Sequence, residues 1–344
     1  MTLAWIDRSE AGKLGVGGPD ALAFLQALLS ADVARVAIGD GVPTALLTPK
    51  GQQRALARAL RTERGWLLHC ERPALEGLFR GLWSGRIGWR VELHKLTLAQ
   101  CLVSVVGDEE ELARFAVRDP RTDAAAPIVG AEAPAVALGA LGAASITGTE
   151  DPTPALAALV AAPDLTHLPT RCAGIPVRAV RTWAGIDLVA RADRLPALEA
   201  ALARAGAAPL DHAGWDALRI ERGRIAYGAD ARETLLPAEL GLDATTVATE
   251  KGLYPGLQTV LRQQRSGTVH RRLCRVHSDH ALLASGDRLL VAGGDGGRPA
   301  GEVTSALAFD GLALVRSGAE EPFLHAPTGT RVRIEPLADA ASSL

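Results

Sequence analysis

Glu250-Lys251-Gly252-Leu253-Tyr254-Pro255-Gly256 is the stretch on which the reading of this chain turns. The 344 residues hold two tyrosines, Tyr227 and Tyr254, and four lysines, Lys13, Lys50, Lys95 and Lys251, while the remaining basic positions are arginine. A lysine and both tyrosines within one short segment point to side chains chosen for their chemistry, because a solvated surface would have accepted arginine. Pro255-Gly256 suits a turn. Leu257 to Gln264 then reads as a helix that carries Arg262 one to two turns on. A lysine beside a helix N-terminus makes an anion site.

Upstream, Asp211 can cap a helix that runs through Trp215, Leu218 and Glu221 and stops at Gly223. Glu221 falls in the last turn, at the negative end of the helix dipole, where a carboxylate loses a few tenths of a kcal/mol (about 0.3 or more) unless donors meet it. It either pairs with Arg219, Arg222 or Arg224 or stands ready for a ligand with two adjacent N–H groups. The run from Glu233 to Asp243 has acids without metal-ligand spacing. It reads as an extended wall, with Glu239 and Asp243 expected in solvent.

Further out, the chain shows an internal echo. Gly65 to Cys70 reads as a strand followed by Pro73-Ala74-Leu75-Glu76 opening a helix, and Gly185 to Ala190 is again a strand, followed by Pro196-Ala197-Leu198-Glu199. Proline suits a first helical turn, where its missing N–H has no partner to lose. Near the N-terminus, Asp20 is the expected cap of a helix that places Leu22, Leu25 and Leu29 on one face, and Thr48-Pro49-Lys50-Gly51 is a tight turn. Residues 119 to 170 carry little periodicity, apart from a surface helix around Pro154 to Ala162. From Thr268 onward short strands alternate with turns such as Gly293 to Gly297. That is the pattern of a small antiparallel β module of barrel type.

Composition limits the functional classes. Apolar residues make up 48 % of the chain, and the formal charge of -2 gives no electrostatic argument for nucleic acid or an anionic membrane. No apolar run reaches the ~20 residues of a spanning helix, and Met1 to Arg8 lacks the layout of a signal peptide. Cys70, Cys101, Cys172 and Cys274 are too far apart for a CxxC pair and read as reduced, mostly buried thiols of a cytoplasmic protein. His277 and His280 have no third ligand nearby in sequence, so no metal site is expected. Gly293 to Gly297 lacks the helix and lysine of a phosphate loop. No catalytic serine, histidine and acid set is visible, and no catalytic residue is assigned.

Taken together, these residues resemble the folate-binding YgfZ family, a branch of the superfamily of the glycine-cleavage T-protein (GcvT). The likeness runs through Gly18-Pro19-Asp20-Ala21, Leu47-Thr48-Pro49-Lys50-Gly51, Leu218 to Gly223, Leu236-Pro237-Ala238-Glu239, Lys251 to Gly256, Gly267 to Leu273 and Gly301 to Ser305. The most specific part is the lysine-glycine-x-tyrosine-x-glycine turn. The family pattern there is lysine-glycine-cysteine-tyrosine-x-glycine-glutamine-glutamate with a later arginine. Lys251, Gly252, Tyr254, Gly256 and Arg262 match it. Leu253 stands in place of the cysteine, Leu257 of the glutamine and Gln258 of the glutamate. Leucine has no thiolate, so the metal or redox role linked to that cysteine is lost.

The resemblance implies an α+β fold: a three-lobed ring with two α/β lobes of mixed or antiparallel sheet and a C-terminal antiparallel β barrel. Residues 1–266 would form the folate-binding region, its second lobe drawn from roughly 50–100 and 171–210, and residues 267–344 the barrel. It implies tetrahydrofolate, or a derivative, in a central channel. Glu221 would accept the paired N–H donors of the pterin. Trp215, Tyr227 or Tyr254 would line the aminobenzoyl ring, and Lys251 or Arg262 would meet the glutamate carboxylates.

Family members are linked to synthesis or repair of iron–sulfur proteins, so iron–sulfur proteins are the expected partners and the expected role is accessory, in that housekeeping or in one-carbon metabolism. Two alternatives stay open. A true aminomethyltransferase needs an acid after the early glycine turn, where this chain has Gln52-Gln53-Arg54. A degenerate scaffold would have lost folate and kept a surface for a protein partner.

Overall fold

The computed structural model describes residues 2–117, 153–291, 297–319 and 323–337. Before residue 210 the strands in chain order are β1 (Ala4–Asp7), β2 (Gly12–Gly17), β3 (Gly41–Leu47), β4 (Gln53–Thr62), β5 (Gly65–Cys70), β6 (Glu92–Lys95), β7 (Gln100–Val106), β8 (His167–Cys172), β9 (Ile175–Thr182), β10 (Gly185–Arg191) and β11 (Ala208–Pro209). They form a six-stranded sheet, β11-β1-β7-β10-β9-β8, and a five-stranded sheet, β3-β4-β5-β2-β6. The helices are α1 (Ala21–Leu28), α2 (Leu75–Gly85), α3 (Glu109–Val117), α4 (Thr153–Val160), α5 (Leu195–Arg204), α6 (His212–Glu221), α7 (Asp243–Thr246) and α8 (Leu257–Ser266).

Side-chain alternation along the strands sets the layers. In β5, Trp66 and Leu68 pack with Phe24 and Leu25 of α1 and Leu78 and Leu82 of α2. In the other sheet, Val103, Val105, Ile186 and Leu188 pack under Leu112, Leu156 and Leu198 from α3, α4 and α5. Each fully buried leucine or isoleucine contributes roughly 1.5–3 kcal/mol. The alternate residues point the other way, and there the two sheets face each other. Leu60 and Leu67 meet Val180 across that seam, with Leu96 and Leu165 beside them. Both sheets are therefore covered on both faces.

The strand–helix echo is present in the fold: β5 leads through a short 3-10 turn into α2, and β10 leads the same way into α5. The two units belong to different sheets, however. Strands from residues 50–100 lie chiefly in the five-stranded sheet and those from 171–210 in the six-stranded one, which departs from the single second lobe expected from the sequence. The reason is the continuous pairing of β10 with β7, Gly185 opposite Val106 through Arg191 opposite Gln100. The chain crosses between sheets after β1 and again after β6.

The C-terminal part is the expected antiparallel barrel. β12 (Arg271–Ser278), β13 (Arg288–Val291), β14 (Arg298–Leu307), β15 (Asp310–Arg316), β16 (Phe323–His325) and β17 (Arg331–Pro336) close in the order β12-β15-β14-β13-β16-β17. The sequence reading missed β16, which is only three residues long. The expected loop at 119–152 and the glycines Gly293 to Gly296 lie outside the described residues.

Three local expectations are corrected. Asp20 does not cap α1. Its carboxylate instead accepts from the Arg90 backbone N–H at 2.8 Å and from the Arg90 guanidinium at 3.0 and 3.1 Å, a charged two-pronged partner that outweighs one helical N–H. Glu239 is buried rather than solvated, accepting from the Leu236 N–H at 2.9 Å and from Arg271 Nε at 3.0 Å. Asp243 is part-buried and opens α7. Asp211, by contrast, caps α6 as expected, accepting from the Gly214 N–H at 2.7 Å.

Candidate functional site

The seam between the sheets is polar at its centre. In the five-stranded sheet, His69 of β5 lies between Arg58 of β4 and Lys13 of β2 in register. In the six-stranded sheet, Asp187 of β10 is registered with Ser104 of β7. Asp187, 1 % exposed, accepts from Arg58 Nη1 at 3.0 Å and from Ser104 Oγ at 2.7 Å. Lys13 is fully buried. Its ammonium donates to the carbonyls of Ser9 and Ala11, each at 2.9 Å, and burial lowers its pKa to about 8. Farther along, Arg178 donates to His167 Nδ1 at 2.9 Å and to Glu63 at 3.1 Å.

Beside this row the seam opens into a cleft of about 60 Å³, lined by Arg8, Arg58, His69, Cys70, Glu71, Trp183, Trp215, Arg219, Arg224 and Tyr227 among others. Trp183 and Trp215 pack with ring centroids 5.2 Å apart. The Arg8 guanidinium stands 4.3 Å over the Trp215 ring and donates to Glu71 at 3.1 Å. Arg224 stands 5.2 Å from the Trp183 centroid. The Tyr227 hydroxyl lies 2.6 Å from the Arg54 carbonyl and 3.0 Å from that of Gln53, and burial pushes its pKa to about 12. Burial likewise raises the Cys70 thiol to about 12, so it is no thiolate nucleophile. All four cysteines are buried.

Of the six residues expected from the sequence to bind the ligand, the cleft brings two together, Trp215 and Tyr227. Glu221 is exposed and lines a different, open hollow of about 430 Å³, facing Arg275, His277, Arg333 and Glu335 of the barrel. Helical phase explains this. Trp215 and Arg219 are four residues apart and share the face of α6 that looks into the cleft, whereas Glu221 follows Arg219 by two residues, roughly 200° around the helix.

The turn from Lys251 to Gly256 is also elsewhere. Lys251 Nζ donates to the Gln26 carbonyl of α1 and lies 5.0 Å from the Tyr254 ring centroid, and burial lowers its pKa to about 8. Tyr254 is buried among Leu47, Leu257 and Val260, and burial raises its hydroxyl to about 12. Arg262 is exposed on α8. Leu253 is 79 % exposed and Leu257 sits in the core, so neither enters the cleft.

The residues that sequence reasoning missed are Arg8, Arg58, His69, Glu71, Trp183 and Arg224. One signal was available for His69: a polar residue at an alternate position of an otherwise apolar strand, in Trp66-Leu67-Leu68-His69-Cys70. Asp187 and Ser104 follow the same rule, and such a residue has to find a partner across the seam.

Two buried histidines make stability pH-dependent. Burial, then Arg178, lowers the pKa of His167 from 6.5 to about 4. Burial, then Arg58 and Lys13, holds His69 well below its ordinary value. In the unfolded chain both take a proton near pH 6.5 (roughly), so below that pH the unfolded state binds more protons than the folded one. The stability is fully present above about pH 6.5 and is lost as pH falls toward about 4, on the order of 3 kcal/mol from His167 alone. Urea unfolding followed between about pH 7 and about pH 4.5 is expected to show this decline, and His167→Gln to flatten it. An equally steep decline in that variant would remove His167 as the cause.

No family model matches the chain. Locally it is similar to aminomethyltransferases. It is 30 % identical over 138 residues to the one from Stenotrophomonas maltophilia (strain K279a), which is 40 % of this chain and 37 % of that protein. It is 32 % identical over 165 residues to the one from Thermus thermophilus, 45 % of this chain and 44 % of that protein. The chain thus spans less than half the length of the curated relatives it matches. Its fold is that of the crystal structure of glycine cleavage system aminomethyltransferase T from Bartonella henselae, with a TM-score of 0.76 over 98 % of this chain and 85 % of that one at 16 % identity. Sequence and fold together support the superfamily of that enzyme.

Proposed function

We propose that this chain binds a tetrahydrofolate-type ligand in the cleft between its two sheets, as an accessory protein of the YgfZ kind, and that it serves iron–sulfur protein maintenance or one-carbon metabolism. The observation that carries this reading is the Trp183–Trp215 pair with Arg8 over the indole and Glu71 beside it, set in the cleft of an aminomethyltransferase fold.

The lining chemistry fits such a ligand. An indole face accepts a flat ring, Glu71 can accept two adjacent N–H donors, and Arg224 suits a carboxylate. The present hollow of about 60 Å³ is smaller than the few hundred Å³ (about 300 or more) usual for ligand pockets. Arg8 occupies the Trp215 face where a ring would stack, so binding requires its side chain to swing away. Folate, when bound, would supply a one-carbon carrier, and this chain's part is to hold and orient it.

Turnover is not proposed. The turn after Gly51 presents Gln52-Gln53-Arg54 rather than an acid, and the seam acid Asp187 is held by Arg58 and Ser104. The scaffold alternative gains nothing from Leu253 and Leu257, which leave the cleft open.

Calorimetric titration with folinic acid tests the reading. Wild type is expected to bind, Trp215→Ala to weaken binding about tenfold, a loss of ~1.4 kcal/mol of stacking, and Glu221→Ala to match wild type. Absence of wild-type binding, or equal binding by folded Trp215→Ala, would remove the cleft as the folate site.

A further inference from the structure

Of the side chains that line the cleft, His69 has both of its polar atoms unmet, where Arg224 has its Nε alone so. His69 is 1 % exposed, it lines the cleft, and both of its ring nitrogens are buried without a hydrogen-bond partner among the described residues. Its neighbours are engaged: Arg58 with Asp187, Arg8 with Glu71, and Lys13 with two carbonyls. A buried polar group left unmet is costly, and such groups in native proteins normally have a partner.

The chemistry of that partner follows from the surroundings. Lys13 and Arg58 flank His69 in the sheet, and their positive charges oppose a second proton on the ring. A neutral imidazole offers one N–H and one lone pair. Because neither nitrogen is tied to the protein, neither tautomer is imposed. A carboxylate can only accept, so it could meet the ring N–H alone and never the ring's lone pair. An uncharged amide-like edge, with a ring N–H or a carbonyl oxygen, can be met by either tautomer.

Resting on the folate reading above, we propose that His69 is a specificity-determining residue: it makes one hydrogen bond to the neutral, amide-like edge of the ligand's heterocycle, and that bond selects its tautomer. The ligand's carboxylates do not reach it. Discrimination then follows from desolvation. A ligand without that edge leaves His69 buried and unmet, while one that carries it satisfies a group the protein leaves open.

The test uses the full chain labelled with nitrogen-15, with the ring signals of His69 assigned through His69→Phe. Folinic acid is expected to drive those signals to a single-tautomer pattern, and p-aminobenzoylglutamate, the tail fragment, to leave them in place. His69→Gln keeps a donor and an acceptor and is expected to hold folinic acid within about threefold of wild type, whereas His69→Phe loses about tenfold. Unmoved signals, with His69→Phe binding folinic acid as wild type does, would overturn this role and leave the folate site standing. Movement by the tail fragment alone would overturn it by placing the charged end at His69. Wild type that binds neither compound would remove the folate reading and this assignment together.

Discussion

Asp230→Ala is expected to cost the fold about 3–5 kcal/mol, the loss typical of breaking a buried charged network by removing one partner. Asp230 is fully buried. Its carboxylate accepts from Arg219 Nη1 at 2.9 Å, the Ala226 N–H at 3.0 Å, Thr304 Oγ1 at 2.6 Å and Ser305 Oγ at 2.7 Å. Arg219 belongs to α6 and lines the cleft, and Thr304 and Ser305 belong to barrel strand β14. One carboxylate therefore ties the cleft helix, the turn after it and the barrel together.

Alanine would leave the Arg219 guanidinium with Asp216 as its acidic partner, strand the Ala226 N–H, and leave the Thr304 and Ser305 hydroxyls to the Leu312 carbonyl and the Arg219 guanidinium. Asp230→Asn keeps the shape and one acceptor oxygen but loses the charge, and is expected to cost roughly half as much. Urea unfolding of the three proteins gives the comparison. A loss below about 1 kcal/mol for alanine would show that water or Asp216 replaces the network. Because Arg219 and Trp215 share one helical face, Asp230→Ala is also expected to weaken folinic acid binding more than its distance from the cleft implies.

The second large effect falls on the Lys251 to Gly256 turn. Gly256→Ala is expected to lose on the order of 3 kcal/mol or more, and Gly252→Ala only about 1–2. Both glycines have positive φ, +86° at Gly256 and +103° at Gly252. They differ in their surroundings. A Cβ at Gly256 would lie 2.6 Å from the Thr48 carbonyl oxygen and 2.9 Å from Gly51 Cα, whereas at Gly252 nothing lies within 4 Å. Backbone cannot move aside as a flexible side chain can, so strain from the clash adds to strain from the left-handed conformation. Denaturant midpoints of the two variants measure the difference. Equal losses would mean that the turn after β3 gives way and that the contact is not tight in solution.

That contrast also accounts for the signal in the sequence. The turn clasps α1 through Lys251 and Gln26, fills the core with Tyr254, and packs Gly256 against the Thr48–Gly51 turn. It joins three parts of the chain, which is a sufficient physical reason for its unusual residues. The resemblance it carries led to the right fold, while its side chains lie away from the cleft.

Much of the architecture was legible because local periodicity reports it. The strands Gly65–Cys70 and Gly185–Arg191, the helix capped by Asp211 and the turn-separated strands after residue 270 all show in short windows of sequence, since burial on one face imposes a period of two or of 3.6 (approximately). Sheet membership was not legible: β5 and β10 read alike, and only long-range pairing assigns them to opposite sides of the seam.

The chain order of residues thus dictated the elements, the barrel and the kind of fold, since each follows from neighbours a few positions apart. Folding in three dimensions chose the site. It turned Trp215 and Arg219 into the cleft and Glu221 toward the barrel, paired Arg58 with Asp187 across 129 positions, and left His69 buried with no hydrogen-bond partner among the described residues. Those outcomes depend on which faces of two sheets meet, a property of packing between distant segments that no local pattern encodes.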